Sequence, residues 1–197
     1  MLSYQHEYHC GNHADVLKHS ILALTIRALQ RKDTPLRVID THAGSGLYDL
    51  GSPEAQRNAE FRTGISRVLS AGSPPLELEP YLGAVHAINP DAGTLSRYPG
   101  SPQIARHLLR PQDHLELLEL HPQALARLRR SFGHEPRVHV HERDSYEGLP
   151  GLVPPPERRG LVLIDPSYEV RQELRAVIDT VSAGHARWPG GIWLIWY

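Results

Sequence analysis

The chain has 197 residues, a formal net charge of −1 and 40% hydrophobic residues, enough for one globular domain with a true core and no overall basic footprint for nucleic acid. No apolar stretch reaches the roughly 20 residues of a membrane span, and Met1-Leu2-Ser3-Tyr4 lacks the basic start and apolar core of a secretion signal, so no membrane association is expected. A single Cys10 cannot form an internal disulfide, which points to a reducing cytoplasm.

The N-terminus crowds Tyr4, His6, His9, Cys10 and His13 together. No C-x-x-C or spaced histidine pair elsewhere completes a tetrahedral set, so no metal is expected. A substrate-facing segment rich in stacking and hydrogen-bonding rings is the better reading. A helix is expected from Asn12 to Leu29, with Asn12 and Asp15 placed like a capping box and Leu17, Ile21, Leu24 and Ala28 on its packed face. Lys18 and His19 lie on this otherwise apolar helix. Two readings of Lys18 stand side by side: a buried lysine paired with a carboxylate of the site or of a cofactor, and a lysine that snorkels to the surface.

Five short apolar runs then alternate with helical patterns, which indicates a parallel sheet: Leu36–Asp40, His114–Leu120, Arg137–His141, Gly160–Asp165 and Gly191–Tyr197. The first crossover is overlong. Residues 47–98 hold two further amphipathic segments, one opening at Ser52-Pro53 and ending near Leu69, the other at Glu79-Pro80 and running to Ile88. They read as a helical insertion within a single domain spanning 1–197. Ser101-Pro102 starts the helix before the second strand. A helix from Pro122 buries Leu125, Leu128 and Phe132, with Gly133 at the C′ position. Before the fifth strand Val170, Leu174, Val177, Ile178 and Val181 recur at helical spacing, and Gly184 closes the pattern. Arg127, Arg129 and Arg130 fit a solvated face better than a nucleic-acid patch. Arg158-Arg159 lies at the amino end of the fourth strand, away from ligands expected at carboxyl ends.

The chemistry concentrates at those carboxyl ends. The first strand delivers Asp40-Thr41-His42-Ala43-Gly44-Ser45-Gly46, a turn that lets backbone approach a ligand. Acids follow at the later strand ends: Glu119, placed to accept from ribose hydroxyls, Asp144, placed to accept from a cofactor adenine amine, and Asp165. A dinucleotide dehydrogenase shares this layout, but Asp49 stands where the third glycine of G-x-G-x-x-G belongs. A methyl donor has no pyrophosphate to cradle, so methyl transfer is the favoured chemistry. Gly160 to Tyr168 completes the case. An exocyclic adenine amine is a poor nucleophile, its lone pair delocalised into the ring. The Asp165 carboxylate and the Pro166 carbonyl can hold it as acceptors, proline offering no competing N–H. Tyr168 can stack on the base, worth roughly 1–3 kcal/mol.

Taken together these motifs resemble the bacterial 23S ribosomal RNA adenine-N6 methyltransferases of the RlmJ type. The resemblance is carried by Met1-Leu2-Ser3-Tyr4, the block from Gly11 to His19, Asp40-Thr41-His42-Ala43-Gly44, Tyr98-Pro99-Gly100-Ser101-Pro102, Glu119-Leu120-His121-Pro122, Arg158-Arg159-Gly160 and the Asp165 loop. It implies a Rossmann-like α/β methyltransferase using S-adenosyl-L-methionine on one adenine of 23S rRNA. Residue by residue it implies cofactor contacts at His19, His42, Ser101, Glu119, Asp144, Ser145 and Asp165, with Asp165 also catalytic. Tyr4, Pro166 and Tyr168 would meet the substrate.

Two departures stand out. The family pattern is Asp-Pro-Pro-Tyr, and Ser167 replaces the second proline, removing a restraint on Pro166. The family also continues beyond Tyr197 into a helix and an antiparallel strand pair, so an incomplete C-terminus and an apolar, self-associating edge at Ile192–Tyr197 are expected. The alternative to an enzyme is a catalytically silent nucleic-acid- or cofactor-binding remnant of the same fold.

Overall fold

The computed structural model describes residues 5–91, 93–168 and 171–197, with the side chains of 171 and 172 left aside. Two compact units emerge: Met1–Ala28 with Gly46–Leu108, and Leu29–Ser45 with Leu109–Tyr197. In chain order the elements run α1 (His13–Leu29), β1 (Arg37–Asp40), β2 (Leu47–Asp49), α2 (Pro53–Asn58), α3 (Ile65–Leu69), α4 (Glu79–Ile88), β3 (Arg97–Pro99) and α5 (Ser101–Leu108). They continue with β4 (His114–Glu119), α6 (Pro122–Phe132), β5 (Val138–Glu142), α7 (Ser145–Leu152), β6 (Gly160–Ile164), α8 (Arg171–Arg187) and β7 (Ile192–Ile195). No helix among the described residues is long and apolar enough to cross a membrane.

The second unit is a five-stranded sheet in the order β5-β4-β1-β6-β7, every pairing parallel. The central strands β1, β4 and β6 are largely buried because both their faces are covered, with all five residues of β6 buried, whereas the edge strands β5 and β7 are partly exposed. On one face Ile39, Leu118, Val162 and Ile164 form a core with Leu149, Val153, Val177 and Trp188 from α7, α8 and their flanks. Each such side chain contributes roughly 1.5–3 kcal/mol. Helix α6 packs beside β5 and buries Leu125, Leu128 and Phe132 as its spacing requires. Buried Glu116 on β4 is held by Arg37, by His139 Nδ1 at 3.1 Å and by His141 Nε2 at 2.7 Å. Arg159 binds the carbonyl oxygens of Leu29 and Thr34, which makes it a structural clamp.

Several expectations change in this unit. Gly133 is not a left-handed C′ residue, since its φ is −62°. A Cβ there would lie 2.6 Å from the Arg129 carbonyl oxygen, so close approach, rather than φ, calls for glycine. Gly184 does not end α8 but lies within it, where a Cβ would come 2.4 Å from Trp193 Cη2. Leu174 and Ile178 are each 51% exposed, and the buried side of α8 is carried by Val177, Val181 and Thr180. Val170 lies outside the described residues.

The first unit holds α1, the short antiparallel pair β2–β3 and helices α2 to α5. Asn12 Oδ1 accepts from Asp15 N at 2.9 Å, as a capping residue should. The reciprocal bond differs from a simple box, because Asp15 Oδ2 accepts from Gly11 N at 2.8 Å. The expected packed face of α1 is overturned: Leu17, Ile21 and Leu24 are 55, 41 and 39% exposed. The buried side carries Leu22, Ala23 and Ile26 together with Asp15, Lys18 and His19. These polar groups are buried as a mutually bonded set. Asp15 binds Lys18 Nζ at 3.1 Å and His6 Nε2 at 2.8 Å, so the charge partner of Lys18 comes from its own helix. His19 Nδ1 lies 2.8 Å from Tyr98 Oη, itself 3.1 Å from Tyr81 Oη.

The segment from Pro53 to Leu69 is not one helix. Ala59 adopts φ +50° and closes α2, and Gly64 rests on the backbone of the N-terminal turn. A Cβ on Gly64 would be 2.1 Å from the Gly11 carbonyl oxygen, which instead accepts from Ile65 N at 2.9 Å. Glu60 ties down the same turn, binding His9 Nδ1 at 2.8 Å and Asn12 Nδ2 at 2.9 Å. Cys10 is buried there, its thiol pushed up to about 12 by burial and by nearby carboxylates.

Candidate active site

The site is built where the parallel strands end, the usual ligand position in open α/β sheets. After β1 the chain extends one residue along β6, Thr41 N donating to Leu163 O at 3.0 Å. It then crosses toward β4, where Ala43 N donates to Leu118 O at 3.0 Å. Gly44 turns left-handed at φ +61° and points its N–H at Glu119 Oε2, 2.7 Å away. The other oxygen, Oε1, accepts from Leu120 N at 2.9 Å and His121 N at 2.7 Å. Glu119 therefore stitches the loop after β1 to the loop after β4. This organising role was not read from the sequence, although an acid beside a glycine-rich turn is the signal for it.

Asp144 caps α7, its Oδ1 accepting from Tyr146 N at 2.8 Å and Glu147 N at 3.2 Å. That cap fixes buried Ser145 at the helix start, with Oγ 3.0 Å from His42 Nε2. The opposite ring nitrogen, His42 Nδ1, lies 2.8 Å from Thr41 Oγ1, and the Tyr146 ring meets the imidazole edge-on with centroids 5.8 Å apart. Burial pulls the His42 pKa down to about 4, against the opposing pull of the Asp165 and Asp144 charges. At neutral pH the ring is uncharged.

β6 delivers Asp165, half-buried, followed by buried Pro166 and half-buried Ser167 and Tyr168. Tyr168 takes φ +53°, packs against the sheet core and donates from Oη to the Trp196 carbonyl at 2.8 Å. One unit thus brings together His42, Glu119, Asp144, Ser145, Asp165, Pro166 and Tyr168. His19 and Ser101 belong to the other unit, where both are buried. Tyr4 lies outside the described residues.

A family model described as RsmJ, "Ribosomal RNA large subunit methyltransferase D, RlmJ", matches residues 33–197. The chain belongs to this family. A relative from Escherichia coli (strain K12) named "Ribosomal RNA large subunit methyltransferase J" is 47% identical over 197 residues, all of this chain and 70% of that protein. One of the same name from Haemophilus influenzae is 40% identical over the same 197 residues, again 70% of that protein. The crystal structure of protein LPL1258 from Legionella pneumophila superposes with a TM-score of 0.88 at 38% identity, covering 95% of this chain and 68% of that one. Family and structural likeness agree with the strand order, and the sheet has the Rossmann-like methyltransferase fold.

Proposed function

We propose that this chain methylates the N6 amine of an adenine in 23S ribosomal RNA with S-adenosyl-L-methionine as donor. The observation that carries the reading is the Asp165-Pro166 segment that follows β6, in the same unit as an acceptor-rich loop set. The donor set fits such a cofactor. Its adenine amine, ribose hydroxyls and ammonium are all hydrogen-bond donors, and Glu119, Asp144, Ser145 and Asp165 are all acceptor-bearing side chains. The Gly44 turn leaves backbone without a side chain beside them. Asp144 uses one oxygen as the α7 cap, which leaves Oδ2 for an amine. His19 and Ser101 are carried as further cofactor contacts and Tyr4 as a substrate contact.

When bound, the cofactor supplies an electrophilic methyl on a sulfonium. The residues supply orientation. The Asp165 carboxylate and the Pro166 carbonyl accept from the target amine and favour a lone pair localised on nitrogen. Tyr168 offers a ring to the base, held by its bond to Trp196. No strong base is needed, because the methylated ammonium is acidic and loses its proton after transfer. Replacement of a family proline by Ser167 leaves both acceptors in place.

The test is transfer of labelled methyl from S-adenosylmethionine to 23S rRNA lacking the modification, followed by nucleoside analysis. Label in N6-methyladenosine is expected. Label confined to another nucleoside would overturn the adenine assignment, and absence of label would favour a catalytically silent member of the family.

A further inference from the structure

The loop after β1 contains a chain of hydrogen bonds whose direction is fixed by donor and acceptor counting. A carbonyl can only accept, so Thr41 Oγ1–H donates to Leu163 O, 2.9 Å away. That bond uses the only hydroxyl proton of Thr41. The remaining Thr41 Oγ1 lone pairs face His42 Nδ1 at 2.8 Å, a distance at which two acceptors would repel. Nδ1 must therefore carry the proton. Because the ring is buried and neutral, Nε2 is bare, and Ser145 Oγ at 3.0 Å donates to it.

We propose that Thr41 is a positioning residue that locks His42 in its Nδ1–H tautomer and thereby turns the Ser145 hydroxyl into an obligate acceptor toward the bound ligand. The inference rests on the reading that this loop set holds S-adenosylmethionine. On that reading Ser145 Oγ accepts from an N–H or O–H group of the cofactor. A ligand that offers only an acceptor at that point is rejected, because the Ser145 proton is already spent on His42. The arrangement orders its parts in sequence: a strand-end carbonyl sets a hydroxyl, the hydroxyl sets a tautomer, and the tautomer sets the polarity of the contact.

Two measurements on the 197-residue chain test this. Long-range proton–nitrogen correlation spectra of unliganded protein should show a pyrrole-like Nδ1 and a pyridine-like Nε2 for His42. Thr41→Val should shift the ring toward Nε2–H, and Thr41→Ser should restore the original signature. Calorimetry with S-adenosylhomocysteine should show about five- to tenfold weaker binding for Thr41→Val, recovered in Thr41→Ser. In a Ser145→Ala background Thr41→Val should cost nothing further. An Nε2–H tautomer in the wild type, or an equal Thr41→Val loss with and without Ser145, would overturn the proposal. The expected tautomer in a protein that fails to bind S-adenosylhomocysteine would instead overturn the cofactor reading on which the ligand of Ser145 depends.

Discussion

The roles proposed for two carboxylates at the strand ends differ, and substitution should separate them. Asp165 is proposed to hold the target amine, so Asp165→Ala should remove single-turnover methylation of rRNA while weakening cofactor binding only moderately. Near-normal turnover would sink the mechanism, since it contains no other charged acceptor for that amine. Glu119 also organises two loops, with both its oxygens already accepting backbone N–H groups. Glu119→Gln is therefore not a mild change, because an amide NH2 must face at least one of those donors. Loss of charge-assisted bonds and a donor–donor clash should cost roughly 1.5–3 kcal/mol. Melting temperature and S-adenosylmethionine affinity should fall together. Calorimetry showing weaker binding at an unchanged melting temperature would mean that Glu119 serves the ligand alone.

Among the elements, those governed by continuous apolar runs were legible from sequence, and the five parallel strands lie within two residues of their expected bounds. The inner face of α6 was legible for the same reason. The face of α1 was not, because the rule that polar residues face water fails when Asp15, Lys18 and His6 satisfy one another. The pair β2–β3 spans three residues a side, too short for any periodicity to show. The break at Gly64 depends on backbone contact with Gly11, far away in sequence. At the candidate site the strand-end acids Glu119 and Asp165 could be placed from their runs, whereas the bond of Thr41 to the Leu163 carbonyl joins residues far apart in sequence and left no signal. Gly184 offers a direct test of element packing. Alanine there gains up to about 1 kcal/mol in helix propensity but sets a methyl against the Trp193 ring, and such overpacking costs about 1–3 kcal/mol. Gly184→Ala should thus lower stability in urea melts and alter Trp fluorescence. A more stable variant would show that the α8–β7 contact can open without loss.

The molecule as a whole should be acid-sensitive from an unusually high pH, because each unit buries an uncharged histidine. Burial holds His19 near 3 in the first unit, the opposing attraction of Asp15 notwithstanding, and His42 near 4 in the second. In the unfolded chain both titrate at the ordinary 6.5. Below pH 6.5 the unfolded state therefore takes up two protons that the folded state refuses until about pH 4 at His42 and about pH 3 at His19. Stability is full above 6.5 and falls as pH drops toward the folded values, by roughly 1 kcal/mol per pH unit for each group. Asp15 acts in a lower window. Burial alone would raise its pKa, but His6, His19 and Lys18 hold it well below 3.8, so its contribution is lost only beneath that value. Urea denaturation at pH 7.5, 6.5 and 5.5 should accordingly show a small fall in midpoint over the first interval, where the unfolded histidines become half protonated, and a clearly larger fall over the second. The histidines act in different units, so the loss should appear whether the units melt together or apart. In His42→Asn the slope between pH 6.5 and 5.5 should shrink by about half, a change independent of any uniform loss of stability. Equal midpoints at 7.5 and 5.5 in the wild type would mean that the buried rings take up protons as readily as free histidine, and their burial would then impose no penalty on the charged form.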